Sequence, residues 1–67
     1  MTIRLNGEPR EVSDGSTVQQ IVEWLGVNPL MAAVEVNVDI VARDRYRTMV
    51  LHEGDVMEVV HVVGGGA

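Results

Sequence analysis

Sixty-seven residues leave room for one domain with a thin core, since folding a chain this short buries only roughly 60% of the surface its unfolded form exposes. Apolar residues make up 46% and charged residues 22%, with a mean hydropathy of +0.13, which places the chain with folded rather than disordered sequences. Ten acidic residues against five basic ones give a net charge of −5 and a pI near 4.7, unfavourable for nucleic acid or an anionic membrane and favourable for partners with basic docking surfaces.

There is no cysteine, which excludes disulfides, thiolate metal ligands and a thiol nucleophile. All five basic residues are arginines, so no internal lysine is available for Schiff-base chemistry or for linkage to another chain. The longest apolar run, Leu30 to Val34, is far below the roughly 18 residues of a membrane span. The opening residues lack the basic-then-apolar pattern of a secretory signal. A soluble cytoplasmic protein is expected, and not an enzyme in its own right.

In chain order, Met1, Ile3 and Leu5 alternate with polar residues at the period of a strand with one buried face. Asn6-Gly7 suits a type I′ hairpin, in which both central residues take positive φ. Glu8 to Val12 returns as a second strand, which Pro9 marks as an edge because its nitrogen cannot donate to a ladder. After the turn residues Ser13-Asp14-Gly15, Ser16 and Gln19 have capping-box spacing. The stripe Val18, Ile21, Val22 and Leu25 predicts a helix that Gly26 and Asn28-Pro29 stop. Trp24, at the flank of the stripe, is expected to be half buried.

Leu30 to Val36 predicts a third strand, Asn37-Val38-Asp39 a turn and Ile40-Val41 a short fourth strand. The polar stretch from Arg43 to Thr48 is consistent with one tight helical turn. Glu53-Gly54-Asp55 is a turn, and Val56 to Val63, with five valines, predicts a central strand covered on much of both faces. One amphipathic helix over a mixed sheet of four to five strands is an α+β roll of the β-grasp type. The folded domain is read as residues 1–63 and the tail as 64–67.

That tail, Gly64-Gly65-Gly66-Ala67, directly follows the most apolar strand and is expected to protrude. Four extended residues reach at most about 13 to 14 Å, enough to thread a narrow cleft on a partner while the body docks outside. Glycine has no Cβ, so such a cleft can close on the backbone and read its N–H and C=O groups.

A β-grasp roll that runs into a glycine terminus resembles ubiquitin-like modifiers and, more closely, the ThiS/MoaD family of sulfur carrier proteins. The resemblance rests on Leu5-Asn6-Gly7-Glu8, Gly15-Ser16-Thr17-Val18, Leu25-Gly26, Val34-Glu35-Val36-Asn37, Ile40-Val41-Ala42-Arg43, Gly54-Asp55 and Val62-Val63-Gly64-Gly65-Gly66, which look like ThiS rather than MoaD. It implies a carrier acted on by enzymes. An ATP-dependent E1-like partner would adenylate the carboxylate of Gly66, with Gly64 and Gly65 recognised as the tail. A persulfide sulfur donor would convert the adenylate to a thiocarboxylate, and an acceptor such as a thiazole synthase of thiamine biosynthesis would take the sulfur. No bound cofactor is implied; ATP belongs to the activating partner.

Two departures from the family pattern stand out. Ala67 follows the glycines, so a C-terminal peptidase would have to expose Gly66; related carriers with such extensions supply sulfur to other pathways, to an amino acid such as homocysteine or cysteine, or to molybdopterin. Val38 stands where the family often has the glycine of an Asn-Gly turn, and a β-branched residue resists φ > 0, so this turn is expected to differ in type. A noncatalytic β-grasp interaction module is the alternative; it would tolerate loss of Gly65 and Gly66.

His52 and His61, nine residues apart, lack a third ligand at metal-site spacing, so no metal site is expected. Arg43, Arg45 and Arg47, interleaved with Asp44 and Tyr46, read as a solvated face. Asp14, Glu53, Asp55 and Glu58 could form an acidic docking surface. The outer sheet face near Val60, His61 and Val62 is the stronger docking candidate, because one helix covers only one face.

Overall fold

A computed structural model describes residues 1–62. Five strands, β1 (Thr2–Leu5), β2 (Glu8–Glu11), β3 (Ala32–Val36), β4 (Asp39–Ile40) and β5 (Val56–His61), form one sheet in the order β2-β1-β5-β3-β4. β1 and β5 run parallel and the other pairs antiparallel, and one helix, α1 (Val18–Trp24), packs against the sheet. This is the α+β roll expected from the element order.

The Asn6-Gly7 hairpin takes φ of 50° and 85°, as a type I′ turn requires. Pro9 lies on β2, an edge of the sheet. It is paired with Arg4, whose own N–H bonds Asp55 on the opposite side, so the proline ring faces the open edge where an N–H would be left bare.

The helix starts one residue later than the Ser16/Gln19 spacing suggests. Thr17 is the N-cap and Gln20 the reciprocal partner, because Ser16 is engaged elsewhere: its Oγ donates to Ser13 O at 2.6 Å and its carbonyl accepts the Leu51 N–H. At the other end Gly26 adopts φ 78°, and the bonds Gly26 N–H to Glu23 O and Val27 N–H to Val22 O form a Schellman stop.

Val18, Ile21 and Val22 are fully buried and Leu25 partly so, against Ile3, Leu5, Val34, Val36, Leu51, Met57 and Val59. Each such side chain contributes about 1.5–3 kcal/mol by leaving water. Trp24 is 65% exposed rather than half buried. At 3.6 residues per turn it lies roughly 110° from the centre of the apolar stripe, and the Arg10 guanidinium sits 5.9 Å from its ring centroid.

The third strand begins at Ala32 rather than Leu30. Asn28 caps a 3-10 turn (Pro29–Met31), its Oδ1 accepting the Leu30 N–H at 2.9 Å. A second such turn (Arg43–Arg45) falls within the polar stretch.

Val38 overturns the expectation for the β3–β4 turn: Asn37 and Val38 have φ of 53° and 75°, both positive, in a two-residue loop between the paired Val36 and Asp39. The loop length demands this conformation, and Asn37 enforces it. Its Nδ2 donates to Asp55 Oδ1 at 3.0 Å and its Oδ1 accepts the Val56 N–H at 2.9 Å.

β5 is central, but only one of its faces is covered. Met57 and Val59 are buried, whereas Val56, Val60 and, just past the strand, Val62 are exposed. The helix lies on the Met57/Val59 side and no element covers the other among the described residues.

Candidate functional site

The alternation of β5 sends successive side chains to opposite faces. Val60, opposite Ala33, and Val62 belong to the uncovered face, 60% and 51% exposed. His61 is opposite the buried Ala32 and so belongs to the helix side of the sheet, at its exposed end. The three residues read together from the sequence are thus divided between two faces. Gly64, Gly65, Gly66 and Ala67 lie outside the described residues.

The C-terminal end of the β3–β5 pair is held at two points. Val62 N–H donates to Met31 O at 2.7 Å, extending the β3–β5 ladder by one rung beyond the strand. The buried Tyr46 donates its hydroxyl to Ala32 O at 3.1 Å. Ala32 is where β3 has outrun the two-residue β4, so its carbonyl faces an edge with no strand to pair it, and Tyr46 supplies the missing donor. The charge run from Arg43 to Arg47 predicts a solvated face for Tyr46 as well. Its neighbours Arg43, Asp44, Arg45 and Arg47 are indeed exposed, and only the unpaired β3 edge explains why Tyr46 turns inward.

Of the four acidic docking candidates, three are committed to the fold. Asp14 lies 3.2 Å from the Met1 α-ammonium. Glu53 Oε1 accepts the Thr2 N–H, and Asp55 accepts from His52 N–H and Asn37 Nδ2. Glu58 stands exposed on the uncovered face. His52 is a surface residue 3.9 Å from Asp55, and among the described residues no three His, Cys, Asp or Glu side chains converge as metal ligands would.

The Asp14 carboxylate, hydrogen-bonded to the Met1 ammonium, holds that amine above its ordinary value of 8.0 despite an opposing desolvation. A groove of about 640 Å³ opens between the β2–α1 connection and the helix, lined by Glu11, Asp14, Gln20, Ile21 and Trp24 among others. None of its lining residues comes from β5. Among the described residues no helix is long and apolar enough to cross a membrane.

The described residues therefore form a small body whose central strand ends beside a bare apolar face. Comparisons with known proteins agree with that geometry. The model of the ThiS family matches residues 3–66. The chain is 34% identical over 65 residues to the sulfur carrier protein ThiS of Bacillus subtilis, covering 96% of this chain and 98% of that one. It is 46% identical over 66 residues to a thiazole synthase of Magnetococcus marinus, covering 98% of this chain and 20% of that protein. A second thiazole synthase, of Paramagnetospirillum magneticum, is 37% identical. This chain thus spans about a fifth of the length of those two synthases. The crystal structure of the thiamine biosynthesis protein ThiS from Geobacter metallireducens superposes with a TM-score of 0.83 at 26% identity, over 98% of this chain and 100% of that one. With fold and sequence in agreement, the chain belongs to the ThiS family of ubiquitin-like, β-grasp sulfur carriers.

Proposed function

We propose that the chain carries sulfur as a thiocarboxylate on Gly66, for delivery to a thiazole synthase in thiamine biosynthesis. The observation that carries this reading is the family match, which runs through the glycines and closes at Gly66. Two relatives named thiazole synthase contain a stretch similar to this whole chain, which supports such a synthase as acceptor.

The chemistry asks little of the body. A carboxylate oxygen of Gly66 attacks the α-phosphorus of ATP in an E1-like enzyme and pyrophosphate departs. The terminal sulfur of a persulfide donor then attacks the acyl carbon and AMP leaves. A thiol then cleaves the S–S bond of the resulting acyl disulfide, the bond the persulfide brought with it, leaving the thiocarboxylate on Gly66 and a disulfide on the donor side. Glycine offers the least hindered acyl carbon, and the lack of cysteine and lysine leaves no strong side-chain nucleophile to capture the activated terminus.

Ala67 lies one residue beyond the family match, so a Gly66 carboxylate requires hydrolysis of the Gly66–Ala67 bond by a peptidase. ATP–pyrophosphate exchange with the host's activating enzyme tests the reading. The chain ending at Gly66 is expected to support exchange and the chain ending at Ala67 to fail. Absence of exchange with both would overturn it.

A further inference from the structure

We infer that Asn28 and Pro29 are positioning residues for the activation of Gly66: the turn they build denies β5 its next sheet partner and stops its pairing at Val62. The inference rests on the carrier reading above and adds how the body keeps the terminus available to the activating enzyme.

The β3–β5 register sets Ala33 opposite Val60 and Ala32 opposite His61. Carried onward, it would set Met31 opposite Val62 and Pro29 opposite Gly64. In an antiparallel ladder only alternate pairs exchange N–H and C=O bonds. Ala32 belongs to a pair whose groups point away from β5, since its carbonyl accepts the Tyr46 hydroxyl. The bonding positions along β3 are therefore Ala33, then Met31, then Pro29.

The rung at Met31 is half made. Val62 N–H donates to Met31 O at 2.7 Å, but Met31 N–H is turned back and donates to Asn28 O at 2.8 Å. The rung after it has nothing to offer. Pro29 has no N–H, and its carbonyl already accepts the Ala32 N–H. Asn28 holds the turn in this shape, because its Oδ1 also takes the Leu30 N–H at 2.9 Å. On the other flank β1 bonds β5 no further than Val59 among the described residues, through Asn6 Oδ1, before the chain reverses at Gly7.

A sheet edge with free groups is a template for any extended chain beside it. From Val62 to Gly66 is four residues, at most about 14 Å, and a further rung at Gly64 would halve that reach. A terminus so paired has to break its bonds before a cleft can take it. Pairing would lower the competent fraction and weaken the apparent affinity in proportion. The turn removes that competition.

The test joins amide hydrogen exchange, read by NMR on the full chain, to pyrophosphate exchange of the chain ended at Gly66. In the parent, Val62 N–H is expected to be protected and Gly64 N–H to exchange at the rate of an unstructured peptide. Asn28→Ala/Pro29→Val removes the cap and restores an N–H on a residue suited to strands, so Gly64 N–H should gain about tenfold protection. About a tenth of the molecules then remain unpaired, so KM for the carrier should rise about tenfold with kcat unchanged. Two glycines inserted after Val63 in that variant should restore KM, which repair of a weakened fold would not explain. Pro29→Val alone, with the cap kept, should move both readings the same way by about threefold. Gly64 N–H protected in the parent, or unprotected in both variants, would overturn the inference and leave the carrier reading in place. Protection gained without a rise in KM would do the same. A parent ended at Gly66 that supports no pyrophosphate exchange would overturn the carrier reading, and with it the role in activation, whatever the amides show.

Discussion

Asn6 Oδ1 accepts the Val59 N–H at 2.8 Å, joining residues 53 apart in sequence. The Asn6 N–H donates in turn to Met57 O. The residue that turns the first hairpin at φ 50° therefore also clamps β5. Asn6→Ala would leave a partly buried N–H without a partner and place alanine in the left-handed region, so it should lower stability by about 2 kcal/mol. Asn6→Asp keeps the acceptor and should lose less than half of that. Urea unfolding of both variants checks the difference.

Tyr46→Phe removes the hydroxyl donor to Ala32 O while keeping the ring in the core. A loss of about 1 kcal/mol is expected. Thermal unfolding should detect it as a lower melting temperature, with the native circular dichroism spectrum unchanged.

Val38 is 86% exposed, so it gains no burial in return for φ 75°. Val38→Gly should therefore stabilise the chain by about 1 kcal/mol, the relief of backbone strain exceeding the extra entropy of glycine in the unfolded chain. Denaturant midpoints measure this directly.

The Met1 ammonium is held above 8.0 by Asp14, so its folded value exceeds its unfolded one. The stability from this contact is complete below about pH 8 and is lost as pH rises through the raised value. Melting temperatures taken from pH 7 to pH 10 should fall on the alkaline side. Asp14→Asn should flatten that decline, and added salt should reduce it, because Asp14 is 90% exposed.

The sequence revealed what local rules control. Asn6-Gly7 needs positive φ at both positions, Pro9 has no N–H to leave bare, and Gly26 ends the helix in αL, so each was readable from its neighbours alone. The helix stripe was equally legible in Val18, Ile21 and Val22, and the outer face near Val60 and Val62 followed from having one helix for two faces.

Non-local causes were hidden. Tyr46 is buried because β4 stops after two residues and leaves Ala32 O unpaired, a fact about a different part of the chain. Val38 adopts a conformation its own side chain opposes because Asn37 is fastened to Asp55 and Val56, eighteen and nineteen residues away. Ser16 lost the N-cap position to Thr17 through its own bond to Ser13 and the pairing of its carbonyl with Leu51.

Intact mass spectrometry of the protein isolated from its native host in sulfur-replete growth reads whether Gly66 becomes the sulfur-bearing terminus. The expected species has lost Ala67 and carries sulfur in place of one terminal oxygen on Gly66. A population that retains an unmodified Ala67, with no sulfur-bearing form, would contradict the carrier reading.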